Sequence, residues 1–195
     1  MKKLVLFFIV VFFTCTGFAQ PAPFNEDSIP VVHGEVVFTV RFQSGLSQEE
    51  FHKIAYSYLT DELKPYSGTF LHDDDDHTIC MVTDYLNIVK GVFQSFGMFM
   101  TYRLQLSYRN GVCNMVIKDI RYMEKSAFEA KKTARPKTTI PEWSGKEIMI
   151  DHKYHLLLIG NVPKRITRAS LDRINGIIKD LEESFEKNKV FSVMQ

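Results

Sequence analysis

The stretch Met98–Met123, MFMTYRLQLSYRNGVCNMVIKDIRYM, decides the fold of this chain of 195 residues. Apolar and polar residues alternate along its first half with a period of two, which predicts a strand with one buried face. Asn110-Gly111 follows at the centre, and this pair favours the type I′ turn of a two-residue hairpin. Opposed residue numbers then sum to 221, so Tyr108 meets Cys113 on a side that is apolar throughout. The stretch therefore predicts an antiparallel hairpin.

Features on the two sides of this hairpin predict where its tight pairing ends and which strand it joins. After Lys118-Asp119 the apolar positions change parity to Ile120 and Tyr122, which predicts a β-bulge or the end of tight pairing. On the other side, Thr78–Lys90 predicts another strand, which turns back through a loop to form an antiparallel meander with the hairpin.

A strand and a helix precede the meander. Residues 36–43 alternate with a period of two, which predicts a strand with one buried face. Ser47 and Glu50 have the spacing of a capping box, in which the serine hydroxyl accepts from one backbone amide and the glutamate accepts from another. Apolar residues then recur at helical spacing until Pro65, which predicts a helix that ends before this proline.

The C-terminal third has weaker signals. A stripe of apolar residues at helical spacing predicts a final helix over residues 167–189: Leu171, Ile174, Ile178, Leu181 and Phe185. Residues 124–166 are interpreted as an irregular extension, solvated where Lys131, Lys132, Arg135 and Lys137 cluster, with a possible strand pair between Lys146 and Ile159. The predicted core spans residues 35–123, after a flexible lead-in over residues 20–34.

The N-terminus predicts export. Lys2 and Lys3 precede an apolar run from Leu4 to Phe13, and the segment closes with small residues that suit signal-peptidase cleavage after Ala19. The run is shorter than the roughly 20 apolar residues of a membrane-spanning helix, and no later stretch reaches that length. We therefore expect a signal peptide over residues 1–19, an exported chain and no transmembrane span after cleavage.

A lipoprotein anchored at Cys15 is the weaker alternative, because Phe13 and Thr14 fit the small-residue pattern of a lipobox poorly. Without residues 1–19 the chain has 22 basic and 23 acidic residues, a net charge near −1. A generic nucleic-acid binder needs an excess of cations to displace counterions. We therefore expect no nucleic-acid partner.

Cys80 and Cys113 remain after processing, in a compartment that permits disulfides. A simple meander places Cys80 near Tyr108, which itself faces Cys113. A strand then separates the thiols by about 10 Å, at about 4.8 Å per strand spacing. A disulfide requires α-carbons within about 7 Å, so two free, buried cysteines are predicted.

The run LHDDDDHTIC, residues 71–80, contains the chain's most conspicuous polar cluster. A calcium loop of EF-hand spacing fails here, because Thr78 stands where glycine is required. A metal site built on His72, Asp73, Asp75 and His77 remains the minority hypothesis. The favoured interpretation is a solvated connection from the first helix to the second strand, which enters the sheet at about Thr78.

The order of strand, helix, antiparallel meander and helix behind a signal peptide resembles a known family. Its most specific part is Gly34–Leu59, GEVVFTVRFQSGLSQEEFHKIAYSYL, together with the later hairpin. This pattern resembles exported bacterial domains of unknown function with a TATA-binding-protein-like (TBP-like) fold. The resemblance covers about Val32 to Met123 and implies an α+β fold with helices packed on one face of the sheet. It implies no catalytic residues.

The chain contains no G-x-S-x-G, H-E-x-x-H, phosphate-loop or dinucleotide signature, so no catalytic residue and no cofactor are predicted. A non-catalytic binding or assembly module for an unknown envelope protein or ligand is favoured. Its candidate surface is the sheet face opposite the helices, with Arg103, Gln105, Arg109 and Lys118 as binding residues. The alternative is a metal-binding or metal-dependent hydrolytic protein that uses the loop from His72 to His77.

Overall fold

A computed structural model describes residues 23–89, 95–133, 140–156 and 160–192. The strands are β1 (Val31–Val32), β2 (Glu35–Val36), β3 (Phe38–Gln43), β4 (Ser67–Asp73), β5 (His77–Val89), β6 (Phe96–Arg109), β7 (Val112–Glu124) and β8 (Trp143–Ser144). The helices are α1 (Gln48–Ser57), α2 (Lys125–Thr133), α3 (Gly145–Met149) and α4 (Val162–Ser192). The predicted signal segment with Cys15 lies outside the described residues.

One antiparallel sheet organises the chain. Its five long strands run in the order β3-β7-β6-β5-β4, and β8 pairs with the far end of β7. The short strands β1 and β2 form a separate hairpin. This arrangement confirms the predicted α+β fold of strand, helix, antiparallel meander and helix. None of the described helices is long and apolar enough to cross a membrane.

The central hairpin β6–β7 has the predicted register. Tyr108 faces Cys113, and the pairing continues to Arg103 opposite Lys118. Beyond this point the register shifts by one residue, so that Thr101 faces Arg121. Asp119 lies at the shift with a φ of 57°. The predicted bulge is therefore confirmed.

The turn of this hairpin differs from the predicted type I′. Gly111 has a φ of 79°, but Asn110 lies outside the left-handed region that a type I′ turn requires at both residues. The loop before α1 fixes this geometry. The Asn110 Oδ1 accepts from the backbone amide of Gln48 at 3.0 Å, and the Gly111 amide donates to Leu46 O at 2.9 Å. Tertiary contacts thus override the intrinsic preference of the pair.

Helix α1 begins with the predicted capping box. The Ser47 amide donates to Glu50 Oε2 at 2.7 Å, and the Glu50 amide donates to Ser47 Oγ at 3.3 Å. The helix continues in a π-helical turn over Tyr58–Glu62 and ends before Pro65, as predicted. Its buried face joins α4 on one side of the sheet, called here the helical face.

The predicted entry into the sheet at about Thr78 agrees within one residue with β5, but the solvated connection predicted before it is wrong. Ser67–Asp73 is the edge strand β4, and residues 74–76 are the tip of a hairpin to β5 rather than a helix-to-strand connection. The sequence did not predict β4 because all seven of its residues are exposed. An exposed strand has no buried face, so its sequence shows no alternation of apolar and polar residues.

Both cysteines are free and buried, as predicted, and β6 lies between their strands. The expected position of Cys80 is wrong, because Cys80 pairs with Leu104 rather than lying near Tyr108. Burial raises the pKa of each thiol to about 12. Both thiols therefore stay protonated at neutral pH.

The extension after β7 also differs from its prediction. It contains α2 and the short strand β8 where a solvated connection was expected, and α3 at the start of the range where a strand pair was expected. A second capping box starts α3: the Ser144 amide donates to Glu147 Oε2 at 2.9 Å. Helix α4 starts at Val162, five residues before the predicted boundary. Arg135 and Lys137 lie outside the described residues.

Helix α2 packs on the face of the sheet opposite to α1 and α4. The Phe128 ring of α2 stacks on Phe99 with a centroid distance of 3.9 Å. Tyr66 and Tyr85 surround Phe99 at 4.7 and 5.0 Å. The resemblance implied helices on one face, and α2 is an addition on the other face, where it buries one end of the sheet.

A polar cluster lies between α4 and the helical face. Arg173 of α4 binds Asp84 of β5 through two hydrogen bonds, with Nε to Oδ2 at 2.8 Å and Nη2 to Oδ1 at 3.0 Å. Tyr102 donates to the same Oδ2 at 2.8 Å. Burial, and then the Asp84 charge, raises the pKa of Tyr102 well above its usual range, so this hydroxyl remains a donor. The Asp84 side chain is 8% exposed.

We predict that Asp84→Ala lowers the free energy of unfolding by about 3–5 kcal/mol, because it leaves the Arg173 cation without its buried partner. Urea denaturation measures this change. Arg168→Ala is the matched control on the same helix. Its ion pair with Glu26 is largely exposed, with 70% of the arginine side chain accessible, and it should contribute under about 1 kcal/mol. Equal losses in the two variants would contradict the prediction.

Candidate binding surface on the open face of the sheet

The face opposite α1 and α4, called here the open face, carries all four predicted binding residues. Arg103, Gln105 and Arg109 alternate along β6 with the buried residues of the helical face. Lys118 of β7 is the direct cross-strand partner of Arg103. The predicted patch is therefore one continuous surface across two central strands, and its role in binding stays a prediction.

Neighbouring strands widen the open face. Gln105 lies between Val116 of β7 and Ile79 of β5, and Arg103 lies between Lys118 and Met81. The three apolar residues in these rows are half-buried. The surface thus mixes cationic groups with apolar side chains, a composition that suits contact with a partner better than a fully solvated face does.

Positive charge dominates this surface. Arg103 and Lys118 stand directly opposite each other, an arrangement that is unfavourable for like charges on paired strands. Asp119, at the bulge, lies 3.1 Å from the Arg103 Nε, although the atoms are not aligned as a hydrogen bond. Arg41 and Arg109 add two exposed cations. One aspartate thus offsets part of the charge of four cationic side chains.

The acidic tip between β4 and β5, residues 73–76, is held by hydrogen bonds within the chain. The amides of Asp76 and His77 both donate to Asp74 Oδ1, at 2.9 and 2.7 Å. His72 Nε2 lies 2.7 Å from the other Asp74 oxygen. Accepting from the His77 amide, and then from the His72 side chain, lowers the pKa of Asp74. These contacts shape the turn.

The remaining aspartates of the tip face α1. Asp73 Oδ1 accepts from Thr78 Oγ1 at 2.6 Å and lies 3.1 Å from His52 Nε2. Asp76 Oδ1 accepts from Gln48 Nε2 at 2.7 Å, whereas the Asp75 side chain is 93% exposed. Within the described ranges, no group of three or more His, Cys, Asp and Glu side chains has the arrangement of a metal site. The structure adds no support to the metal hypothesis for His72, Asp73, Asp75 and His77.

Sequence reasoning missed the cluster of Asp84, Tyr102 and Arg173. A signal for it exists: Asp84 has the same parity as Cys80 and Val82, which are buried on the helical face. An acidic residue at a buried position requires a partner. The identity of that partner, on a helix 89 positions further along the chain, is fixed only by the three-dimensional packing.

Comparisons with solved structures identify the fold. One similar structure is a DUF4468 family protein from Bacteroides ovatus, with a TM-score of 0.64 and 17% identity, covering 80% of this chain and 90% of that chain. Another is a TBP-like protein from Parabacteroides distasonis, with a TM-score of 0.60 and 11% identity, covering 81% and 97%. No protein-family model and no curated protein matches the chain.

At these identities the likeness shows the fold alone. It confirms the resemblance drawn from the sequence, to bacterial domains of unknown function with a TBP-like fold. Fold by itself does not define function, so the chemistry of the surface has to supply the functional argument.

We predict that Asp74→Ala increases amide hydrogen exchange at Asp76 and His77 roughly five- to tenfold, because both amides lose their acceptor. Asp75→Ala, at the exposed neighbouring position, is the control and should leave both rates unchanged. In the wild type the protection should be full above the ordinary aspartate pKa of about 3.9. It should be lost as the pH falls through the lowered pKa of Asp74. Unchanged rates in Asp74→Ala would refute this account of the turn.

Proposed function

We propose that this chain is an exported protein of the bacterial cell envelope that acts as a non-catalytic binding module. The open face is its binding surface, and its partner is an anionic protein or ligand of the envelope. The observation that carries this proposal is the cross-strand pair of Arg103 and Lys118, on a face that also carries Arg41 and Arg109. An anionic group placed over this pair relieves its mutual repulsion.

Two further observations support a binding role. The sequence contains none of the catalytic signatures that name a nucleophile, a metal or a cofactor. Arg103, Arg109 and Lys118 stand on the central strands β6 and β7 of a sheet whose other face is packed against α1 and α4, so they are displayed on a rigid platform. A rigid platform reduces the entropy that side chains and backbone lose on binding.

We predict that Arg103→Glu combined with Arg109→Glu weakens capture of the partner at least tenfold, or about 1.4 kcal/mol. The measurement is a titration of the immobilised mature chain with the envelope fraction of the source bacterium, at low and high salt. Added salt should weaken capture by the wild type, because exposed charges are screened.

The control reverses two cations elsewhere. Lys179→Glu with Lys187→Glu makes the same change in net charge on the exposed side of α4, where both side chains are 74% exposed. Capture unchanged by the open-face variant, or equally lost in the control, would refute the open face as the binding surface. Thermal melting of both variants checks that each is folded.

We predict that export yields a mature chain that starts at Gln20. Intact-mass measurement on the envelope fraction of cells that express the full chain tests this. Ala19→Trp should block cleavage, because signal peptidase requires a small residue at that position. A product that starts at an acylated Cys15 would establish the lipoprotein alternative, and full-length chain in the cytoplasm would refute export.

A further inference from the structure

Strand β4 is a terminal strand of the main sheet, and its outer edge is unpaired among the described residues. Natural sheets protect such edges with proline, charged residues, β-bulges or very short strands. All seven residues of β4 are exposed. A register shift between Phe70 and His72 and the acidic Asp73 protect its second half, whereas Ser67–Phe70 contains no proline, no charged residue and no register shift. At the other end of the sheet, β3 is shorter and carries Arg41. The edge of β4 is therefore open to further strand pairing over Ser67–Phe70.

Exposed apolar residues concentrate along this edge. Of the eight large hydrophobic side chains that are exposed in the described parts of the chain, four lie on or beside β4: Tyr56, Tyr66, Phe70 and Leu71. The Tyr56 ring of α1 stacks on Phe70 at a centroid distance of 5.4 Å. Such a concentration marks an interaction surface, whereas single exposed apolar residues need no explanation.

A groove of about 280 Å³ lies beside the same strand, on the helical face. It is bordered by the π-helical turn and β4 and lined mainly by apolar residues, among them Leu59, Leu63, Phe70 and Val82. Gly68 forms part of its wall. An added β-carbon at Gly68 would lie 3.4 Å from Pro65 Cγ, so the absence of a side chain keeps this part of the groove open.

Opposite charges lie at the two ends of strand β4. Lys64 lies just before the strand, and the four aspartates from Asp73 to Asp76 lie at its far end. A strand with one basic and one acidic end is complementary to an antiparallel copy of itself, because the opposite charges then meet at both ends.

We propose that two copies of this chain form a dimer by antiparallel pairing of β4 with β4, with the two-fold axis at Thr69. In this register Thr69 faces Thr69 of the second copy on the open face. Phe70 of each copy lies opposite Gly68 of the other on the helical face, where its ring enters the groove. Lys64 of each copy then lies near the acidic tip, residues 73–76, of the other.

This register satisfies the symmetry of a two-fold interface. Directly opposed residues in an antiparallel pair share one face of the sheet, so the two-fold axis has to pass midway between one residue and the same residue of the other copy. With the axis at Thr69, each copy contributes the same Phe70 ring and the same groove to the contact, as an isologous interface requires. Each copy has one β4, so assembly closes at two. The dimer is independent of the proposed function, because the pairing uses the sheet edge rather than the open-face cations.

Cysteine cross-linking tests the register. Opposed β-carbons in such a pair are about 4.5–5.5 Å apart, close to disulfide distance. Thr69→Cys in the mature chain should therefore give a disulfide-linked dimer on mild oxidation. Thr39→Cys, an exposed threonine on the open face of the other edge strand, is the matched control and should remain monomeric. Absence of a Thr69→Cys dimer, or equal cross-linking of both variants, would overturn the proposed register.

Sedimentation analysis tests the dimer without cross-linking. The wild type should show a concentration-dependent equilibrium between one and two copies. Phe70→Lys should shift it toward the monomer at least tenfold, while Val32→Lys, at an exposed site on β1, should not. Lys64→Glu should weaken the dimer, and the combination with Asp75→Lys should restore it. A wild type that stays monomeric at every concentration would overturn the proposal, as would a monomer whose edge instead pairs with an added extended peptide.

Discussion

The apolar face of the β6–β7 hairpin is the constraint on which the other elements depend. Alternation along both strands places a continuous row of buried side chains on the helical face, including Tyr102, Leu104, Leu106, Met115 and Ile117. Burial of apolar area contributes about 25 cal/mol per Å², so this face has to be covered. Helices α1 and α4 supply the cover with their own apolar stripes, and β3 and β5 extend the layer on both sides. The open face is a consequence of the same alternation.

A buried ion pair interrupts this apolar layer and, together with the hydrogen bond between Tyr122 of β7 and Ser170 of α4, fixes how α4 sits on it. A helix with a uniform apolar stripe can shift along a sheet at little cost in buried area. Arg173 binds Asp84 through two hydrogen bonds and also donates to Leu63 O at 2.8 Å. A displaced α4 would leave a buried carboxylate without its partner, which is strongly unfavourable. The ion pair thus specifies one position of the helix among several of similar apolar burial.

The sequence predicts the elements whose signals are local and repeated, and it misses those that only tertiary contacts define. The β6–β7 register follows from a two-residue turn and strict alternation. Strand β4 has no buried face and hence no alternation. Helix α3 has a capping box identical in form to that of α1, yet its five residues are too few to show a helical period. The turn type changed because Asn110 binds Gln48 of α1. On the open face, alternation alone placed the four candidate binding residues.

If the sheet edges of two copies pair as proposed, the proposed binding surface on the open face is duplicated. Opposed residues in paired strands share a face, so pairing of β4 with β4 places the open faces of both copies on the same side of one continuous sheet. The cations of the two copies then form two equivalent sites at a fixed separation. A partner with repeated anionic groups gains affinity from binding both sites, because the second contact is made at a high effective concentration. A monomeric, small anion gains nothing from this arrangement. The two proposals taken together therefore favour an extended or multivalent anionic partner over a small ligand.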